Sequence, residues 1–135
     1  MQDFANKNVV NIITFEDPVE YIYTKDSLAC IRQRELLFDV SSYKKAIAAS
    51  LKQSIGIAMV QEMTTNSIME SVSELLKKGP LVISTLHTPD TTSVFESIIE
   101  AQPEAMRAAV TKQLQEKFQC FISQRLVPRA DGSGV

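Results

Sequence analysis

The chain has 135 residues, which is the expected size of a single domain rather than of a two-domain enzyme. Apolar residues make up 44% and charged residues 22%, as in ordinary folded domains, so the composition excludes a disordered chain. The formal net charge of −2 supplies no positive field for phosphate backbones, so we expect no nucleic-acid partner. The chain contains only four glycines, namely Gly56, Gly79, Gly132 and Gly134.

Cysteine and histidine are too sparse for a zinc site. Cys30 and Cys120 are far apart in sequence, they form no C-x-x-C pair, and the chain has a single histidine. The cysteine-dense pattern of small secreted domains is missing, the first residues do not resemble a signal peptide, and no apolar run is long enough for a bilayer. We therefore expect a reducing cytoplasmic location.

Three short apolar runs predict strands at residues 9–15, 55–60 and 81–86. Their apolar character is nearly continuous, which is typical of parallel strands that are covered on both faces. Residues 21–38 are expected to form a small β excursion after the first strand. The tail at residues 131–135 is expected to be flexible.

Helices are predicted between and after these runs. The first follows a cap at Ser41 or Ser42, and the second covers residues 66–78 and ends at Gly79. A third follows residues 88–90, and a fourth begins at Pro103. The apolar stripe of this fourth helix is expected to consist of Met106, Val110, Leu114, Phe118 and Phe121. The alternation of strands and helices predicts an α/β layer structure with a mostly parallel sheet.

Polar side chains follow each apolar run at the point where the predicted strand ends. Glu16 and Asp17 follow the first run, Glu62 follows the second, and His87 follows the third. Ligands gather beyond the carboxyl ends of parallel strands, where carboxylates suit Mg²⁺, a further carboxylate can orient water, and an imidazole can contact a terminal phosphate. These residue types together indicate phosphoryl transfer.

Arg32 and Arg34 add two guanidinium groups to this set. They are two residues apart in an apparently extended segment, so their side chains are expected on the same face. Paired guanidinium groups match phosphate oxygens, although two arginines can equally form a charged edge that discourages sheet pairing.

Structural explanations also exist for each candidate taken alone. Asp17 precedes a proline and suits an ordinary turn, and Glu62 suits a solvated position after a strand. A single histidine such as His87 is more often packed or solvated than catalytic. Only the shared position at three strand ends favours function.

Four segments, in order, resemble the secretion ATPases of type IV pili and type II secretion. Residues 12–21 are similar to the family's Asp box, and residues 31–35 to its Arg-Gln-Arg-Glu element. Residues 81–88 resemble its His box, and residues 122–132 resemble the end of its motor domain. The match covers nearly the whole chain, and PilT-like retraction motors are the most similar members.

The resemblance implies a partial RecA-like P-loop NTPase fold, with three layers around the sheet. It implies a motor that hydrolyses ATP with Mg²⁺ and moves a pilus or a secreted protein. The expected assembly is a homohexamer in the cytoplasm, peripheral to the inner membrane, with pilus or secretion platform proteins as partners. Residues 1–130 would be the C-terminal part of the motor domain.

The resemblance also assigns roles to the candidate residues. Glu16 would activate the attacking water, and Asp17 would help to hold Mg²⁺. Glu62 would be the Walker B carboxylate beside the metal, and His87 would sense the γ-phosphate. The nucleotide or the subunit interface would be contacted by Arg32 and Arg34.

The chain departs from the family pattern because it has no Walker A loop, G-x-x-x-x-G-K-[ST]. Gln61 stands five residues after Gly56, and Ser84 stands five residues after Gly79. The family usually reads Gly-Glu-Met-Arg-Asp around the Walker B carboxylate. Here Thr64 and Thr65 stand in place of the arginine and the aspartate. We therefore expect no ATP hydrolysis by the chain alone and one unpaired sheet edge. The alternative is a non-catalytic interaction module derived from an ATPase, or a degenerate gene remnant.

Overall fold

The computed structural model describes residues 1–24, 26–63, 65–88, 93–124, 126–130 and 132. Four strands in this part form one parallel sheet in the order β2-β1-β3-β4. The strands are β1 (Asn11–Glu16), β2 (Cys30–Glu35), β3 (Ile57–Glu62) and β4 (Leu81–Thr85). The helices are α1 (Gln2–Lys7), α2 (Tyr43–Ser50), α3 (Asn66–Lys77), α4 (Ser93–Glu100) and α5 (Glu104–Lys117).

The three apolar runs correspond to β1, β3 and β4, so the prediction of a parallel α/β sheet is confirmed. The expectation of a small excursion at residues 21–38 needs correction, because β2 lies there and extends the main sheet as its edge strand. It pairs in parallel with β1, with Arg32 opposite Ile13 and Arg34 opposite Phe15. Its residues alternate between exposed and half-buried, as an edge strand requires, so it lacks the apolar run that marks the other strands.

The larger core lies between the sheet and helices α2 and α3. Its largest fully buried side chains are those of Phe15, Ile47, Val60 and Leu75. The helices begin where hydroxyl side chains cap them: Ser42 accepts a hydrogen bond from the Lys45 amide, and Thr65 accepts one from the Ile68 amide. These caps fix where the two helices rise from the carboxyl end of β2 and of β3.

The opposite face of the sheet is covered only in part. The short helix α1, which the sequence did not predict, packs against β1 and β2, and the cluster beneath it contains Ala5, Ile12, Ala29 and Ile57. Leu81 and Ile83 of β4 are 47% and 44% exposed. Within the described ranges no strand pairs with the outer edge of β4.

The predicted stripe of the last helix is wrong beyond residue 117. Helix α5 ends at Lys117, and Phe118 adopts an extended backbone conformation. Its ring packs against Phe95 of α4 and Phe121, with ring centroids 5.0 Å and 4.7 Å away. Of the stripe residues only Val110 is buried. The tail predicted to be flexible lies outside the described residues except for Gly132.

We predict that the substitution Phe15→Ala lowers the free energy of unfolding by about 3–5 kcal/mol, because it leaves a cavity in the centre of the core. Phe15 is 1% exposed, whereas Val9, in the segment before β1, is 88% exposed. The control Val9→Ala is expected to change the value by less than about 0.5 kcal/mol. Urea denaturation followed by circular dichroism measures both, and equal losses in the two variants would contradict this packing.

Candidate functional site

The carboxyl-terminal edge of the sheet brings together the candidate residues that follow the strands. Glu16 and Glu62 are the last residues of the neighbouring strands β1 and β3. Asp17 follows Glu16 directly, and His87 comes two residues after the end of β4. The parallel direction of the strands therefore puts carboxylates and an imidazole at one edge, as the sequence predicted.

Glu16 is the buried member of this group. It is 5% exposed, and its Oε1 accepts hydrogen bonds from Thr14 Oγ1 at 2.5 Å and from Gln33 Nε2 at 3.0 Å. Hydrogen bonds of this kind compensate a carboxylate for the water that it loses on burial. The side chain is thus held from β1 and β2 at once.

The loop after β1 is anchored by side chains of both neighbouring strands. The Asp17 amide donates a hydrogen bond to Gln61 Oε1 of β3. The Val19 amide donates to Glu35 Oε2 of β2, at 3.1 Å. Asp17 itself is exposed. The start of this loop is therefore fixed in position while the Asp17 carboxylate stays accessible.

Glu62 and His87 contact each other across the ends of β3 and β4. The His87 Nε2 lies 2.7 Å from Glu62 Oε1, and the two side chains are 84% and 43% exposed. β3 carries an irregularity at this end, where Glu62 pairs with Thr85 and the Met63 amide donates to the Thr85 carbonyl oxygen. An exposed pair contributes about 0–1 kcal/mol, so a ligand can replace either partner at small cost.

Tyr43, the first residue of α2, faces the same carboxylates. Burial raises the pKa of its phenol, and the negative charges of Asp17, Glu62 and Glu16 raise it further, in that order. The phenol therefore lies within electrostatic reach of all three side chains. From the sequence, Tyr43 was interpreted only as part of the apolar repeat of α2. Its place at the start of a helix that follows a strand was the feature that could have indicated its position near the site.

Arg32 and Arg34 lie on one face of β2 and are exposed, as the spacing predicted. The Arg32 guanidinium donates from Nη1 to Gln53 Oε1, at 3.0 Å, just beyond the end of α2. This contact lies toward the amino-terminal part of the sheet, because Arg32 pairs with Ile13. Arg34 lies closer to the edge that carries the carboxylates, opposite Phe15. The structure therefore separates Arg32 from the other candidates.

The donor set at this edge suits a hard, partly hydrated cation. Among the described residues no group of three or more His, Cys, Asp and Glu side chains could hold a metal ion, and both cysteines are free. Mg²⁺ needs fewer protein ligands, because it keeps several waters and binds one or two carboxylates together with phosphate oxygens. Asp17 and Glu62 are the carboxylates at this edge with accessible side chains. None of the helices in the described ranges is long and apolar enough to cross a membrane.

We predict that Tyr43 titrates above the ordinary value of 10.0 for a tyrosine. Its contribution to the free energy of unfolding should be complete below pH 10.0 and decline as the pH rises through the pKa in the folded chain. The difference in phenolate absorbance between the parent chain and Tyr43→Phe isolates this titration.

The substitution Asp17→Asn should lower the midpoint of the Tyr43 titration, because it removes the largest of the three charge effects. A titration of Tyr43 at or below 10.0 would contradict the arrangement of the phenol and the carboxylates.

Comparison with known proteins covers nearly the whole chain. The sequence profile of the type II/IV secretion system protein family matches residues 1–134. The type IV pilus ATPase PilU of Pseudomonas aeruginosa is 30% identical over 135 residues, which are 99% of this chain and 35% of PilU. The type IV pilus retraction ATPase PilT of the same organism is 29% identical over 137 residues, covering all of this chain and 39% of PilT.

Solved structures agree with these sequence matches. A crystal structure of the pilus retraction motor PilT with bound ADP has a TM-score of 0.88 and 32% identity, over 98% of this chain and 39% of that chain. The ATPase DotB of Legionella pneumophila, with a TM-score of 0.74 and 20% identity over 81% of this chain and 30% of that chain, shows the fold alone.

These matches confirm the expected fold and the expected family. The fold is the RecA-like α/β fold, as the resemblance implied. The chain spans between about a third and two fifths of the length of the pilus ATPases PilU and PilT. The profile match over residues 1–134 shows that the chain belongs to the type II/IV secretion system protein family.

Proposed function

We propose that this chain supplies the hydrolytic side chains of a pilus or secretion motor, and that hydrolysis of ATP requires a P-loop from a further polypeptide segment. The observation that carries the proposal is the meeting of Glu16, Asp17, Glu62 and His87 at one sheet edge in a sequence without a Walker A motif. In phosphoryl transfer, the P-loop positions the phosphates, and the residues of this edge act on water, metal and terminal phosphate.

Glu16 is the residue proposed to orient and activate the attacking water. Its Oε1 is engaged by Thr14 and Gln33, and Oε2 is the oxygen proposed to accept a proton from the water. Because the carboxylate is fixed by two neighbours, little reorganisation is needed when the substrate arrives, and a preorganised base is an effective one.

Asp17 and Glu62 are proposed to hold Mg²⁺. Both carboxylates are accessible, and both adjoin strands that are anchored in the core. When bound, the metal would neutralise the negative charge of the phosphate oxygens. The contribution of the chain is to keep two hard ligands at a common edge.

His87 is proposed to sense the γ-phosphate. Its imidazole is largely exposed, at 84%, and its Nε2 lies 2.7 Å from Glu62 Oε1. A neutral imidazole has one N–H and can donate to a phosphate oxygen once it leaves Glu62. Arg34, which is closer to the edge than Arg32, is proposed to contact the nucleotide or a neighbouring subunit.

The proposed assembly is a ring of six copies in the cytoplasm, at the inner-membrane base of a pilus or secretion machine. The ring and its location follow from the family resemblance of the four motifs, and the relatives PilT and PilU support only the link to a type IV pilus. Membrane platform proteins are the proposed partners.

A chimera tests the hydrolytic role directly. Residues 1–135 would replace the matched segment of P. aeruginosa PilT, which then supplies the P-loop. We expect the chimera to hydrolyse ATP, and Glu16→Gln within it to lower kcat by roughly 100- to 10,000-fold, because a neutral amide cannot accept the proton of the water.

The matched control is Glu20→Gln, which makes the same chemical change at an exposed position of the loop after β1. It should leave kcat near that of the chimera. A chimera that binds Mg·ATP and assembles but shows no hydrolysis would contradict the proposed function.

The chain alone is predicted to bind no Mg·ATP at micromolar concentration. Without a phosphate cradle, the carboxylates face the negative charge of the triphosphate with no compensating amides or lysine. Isothermal titration calorimetry measures the affinity, and the chimera is the positive control. Stoichiometric micromolar binding to the chain alone would overturn the need for a second segment.

A second candidate function is a non-catalytic module that associates with a motor. The observation that favours it is the unpaired outer edge of β4 together with the exposed Leu81 and Ile83. Exposed strand edges with apolar neighbours are common sites of association. Co-elution of the chain with intact PilT would support this function, and separate elution at micromolar concentration would exclude it.

A further inference from the structure

Gln33 makes more side-chain hydrogen bonds near the candidate site than its place in an edge strand suggests. Its Nε2 donates to Glu16 Oε1 at 3.0 Å and to the Tyr21 carbonyl oxygen at 2.8 Å. Its Oε1 accepts from the Tyr23 amide at 3.0 Å. One amide group therefore joins the buried carboxylate of β1 to the loop that leads into β2.

The sheet register explains why Gln33 can reach Glu16. Gln33 pairs with Thr14 across the β1–β2 ladder, so Glu16 lies one diagonal step toward the carboxyl edge on the same face. Diagonal neighbours on one face of a sheet are within reach of long side chains. Thr14, directly opposite Gln33, donates to the same Glu16 oxygen.

The three partners require both donors and an acceptor. The Glu16 carboxylate and the Tyr21 carbonyl oxygen can only accept hydrogen bonds, and the Tyr23 amide can only donate one. A glutamine side chain has two N–H groups and one carbonyl oxygen, which matches this set. A glutamate offers only acceptors, a lysine only donors, and an apolar side chain neither.

We propose that Gln33 is a positioning residue that fixes the Glu16 carboxylate for water activation, an inference that rests on the proposed function. The bonds from Gln33 and Thr14 both reach Oε1, so they restrain rotation of the carboxylate. Gln33 itself touches neither water nor nucleotide in this role. Residues that orient a functional side chain typically contribute about 10- to 100-fold to activity.

The two informative substitutions are Gln33→Met and Gln33→Glu. Methionine has similar length and removes all three hydrogen bonds. Glutamate keeps an acceptor for the Tyr23 amide but removes both donors and adds a negative charge beside Glu16. Gln33→Met therefore removes both the contact with Tyr23 and the restraint on Glu16, whereas Gln33→Glu removes only the restraint on Glu16 and the bond to Tyr21.

The matched control is Gln113→Met. Gln113 is also half-buried, and its Nε2 donates a single hydrogen bond to the Ser73 carbonyl oxygen at 3.0 Å, between α5 and α3. This variant loses a side-chain hydrogen bond of the same type far from the carboxyl edge. It measures what such a loss does to the fold alone.

The first measurement is kinetic and uses the PilT chimera. Both Gln33 variants are expected to lower kcat by about 10- to 100-fold while KM for ATP stays nearly constant, because Glu16 acts in the transition state rather than in binding. Gln113→Met should leave kcat unchanged. An unchanged kcat in Gln33→Met, or a loss no larger than in Gln113→Met, would overturn the inference.

The second measurement needs no activity and uses residues 1–135. The carboxyl ¹³C resonance of Glu16 should shift in Gln33→Met and in Gln33→Glu at constant pH, but not in Gln113→Met. Exchange of the Tyr23 amide should accelerate in Gln33→Met and remain slow in Gln33→Glu. A Glu16 resonance that stays in place in Gln33→Met would contradict the restraint.

The two measurements distinguish a failure of the proposed function from a failure of the proposed role of Gln33. An inactive parent chimera combined with the expected ¹³C shifts would contradict the proposed function and leave the contact between Gln33 and Glu16 intact. An active chimera with an unmoved Glu16 resonance would contradict the role of Gln33 and leave the proposed function intact.

Discussion

The common direction of the four strands is the constraint on which the rest of the structure depends. Parallel strands need crossover connections. Helices α2 and α3 make those from β2 to β3 and from β3 to β4, and they bury one face of the sheet. Because β1 and β3 lie side by side at the centre, the residues at their ends are held by the best-packed part of the chain. Every functional proposal for Glu16 and Glu62 depends on that alignment.

The candidate residues at this edge differ in solvation. Glu16 is buried and bonded through Oε1, whereas Glu62 is half-buried and Asp17 and His87 are exposed. A buried, restrained carboxylate suits a task that depends on exact orientation toward one water. Accessible groups with weak mutual contacts suit ligands that come and go, such as a metal ion or a phosphate. The proposed division of roles thus agrees with the solvation of these side chains as well as with their position.

Much of this architecture could be predicted from the sequence, because the informative signals are local. Apolar runs marked β1, β3 and β4, and the Ser41-Ser42 pair marked the start of α2, which Ser42 caps. The edge strand β2 was not recognised as part of the sheet, because its residues alternate between exposed and half-buried and form no apolar run. Its place in the sheet depends on pairing with β1, which sequence spacing does not reveal. The end of α5 was misplaced for a similar reason, since Phe118 leaves the helix to pack against Phe95.

The site could be predicted as a set of residues but not as a set of contacts. The ends of the apolar runs identified Glu16, Asp17, Glu62 and His87. The hydrogen bonds of Gln33 depend on the register of β2 against β1, and the place of Tyr43 beside three carboxylates depends on how α2 rises from the sheet. Neither relationship has a signature in sequence spacing, because both are set by tertiary packing.

The segment Tyr21–Tyr23 gives the buried carboxylate a connection to the outer surface. Tyr21 and Ile22 are exposed, and the rings of Tyr21 and Tyr23 contact each other edge to face at 5.2 Å. Since the backbone of Tyr21 and of Tyr23 is bonded to the amide that holds Glu16, this segment cannot move far without pulling on that amide or breaking away from it. A displacement of this segment would therefore reach the Gln33 amide first and, through it, the Glu16 carboxylate.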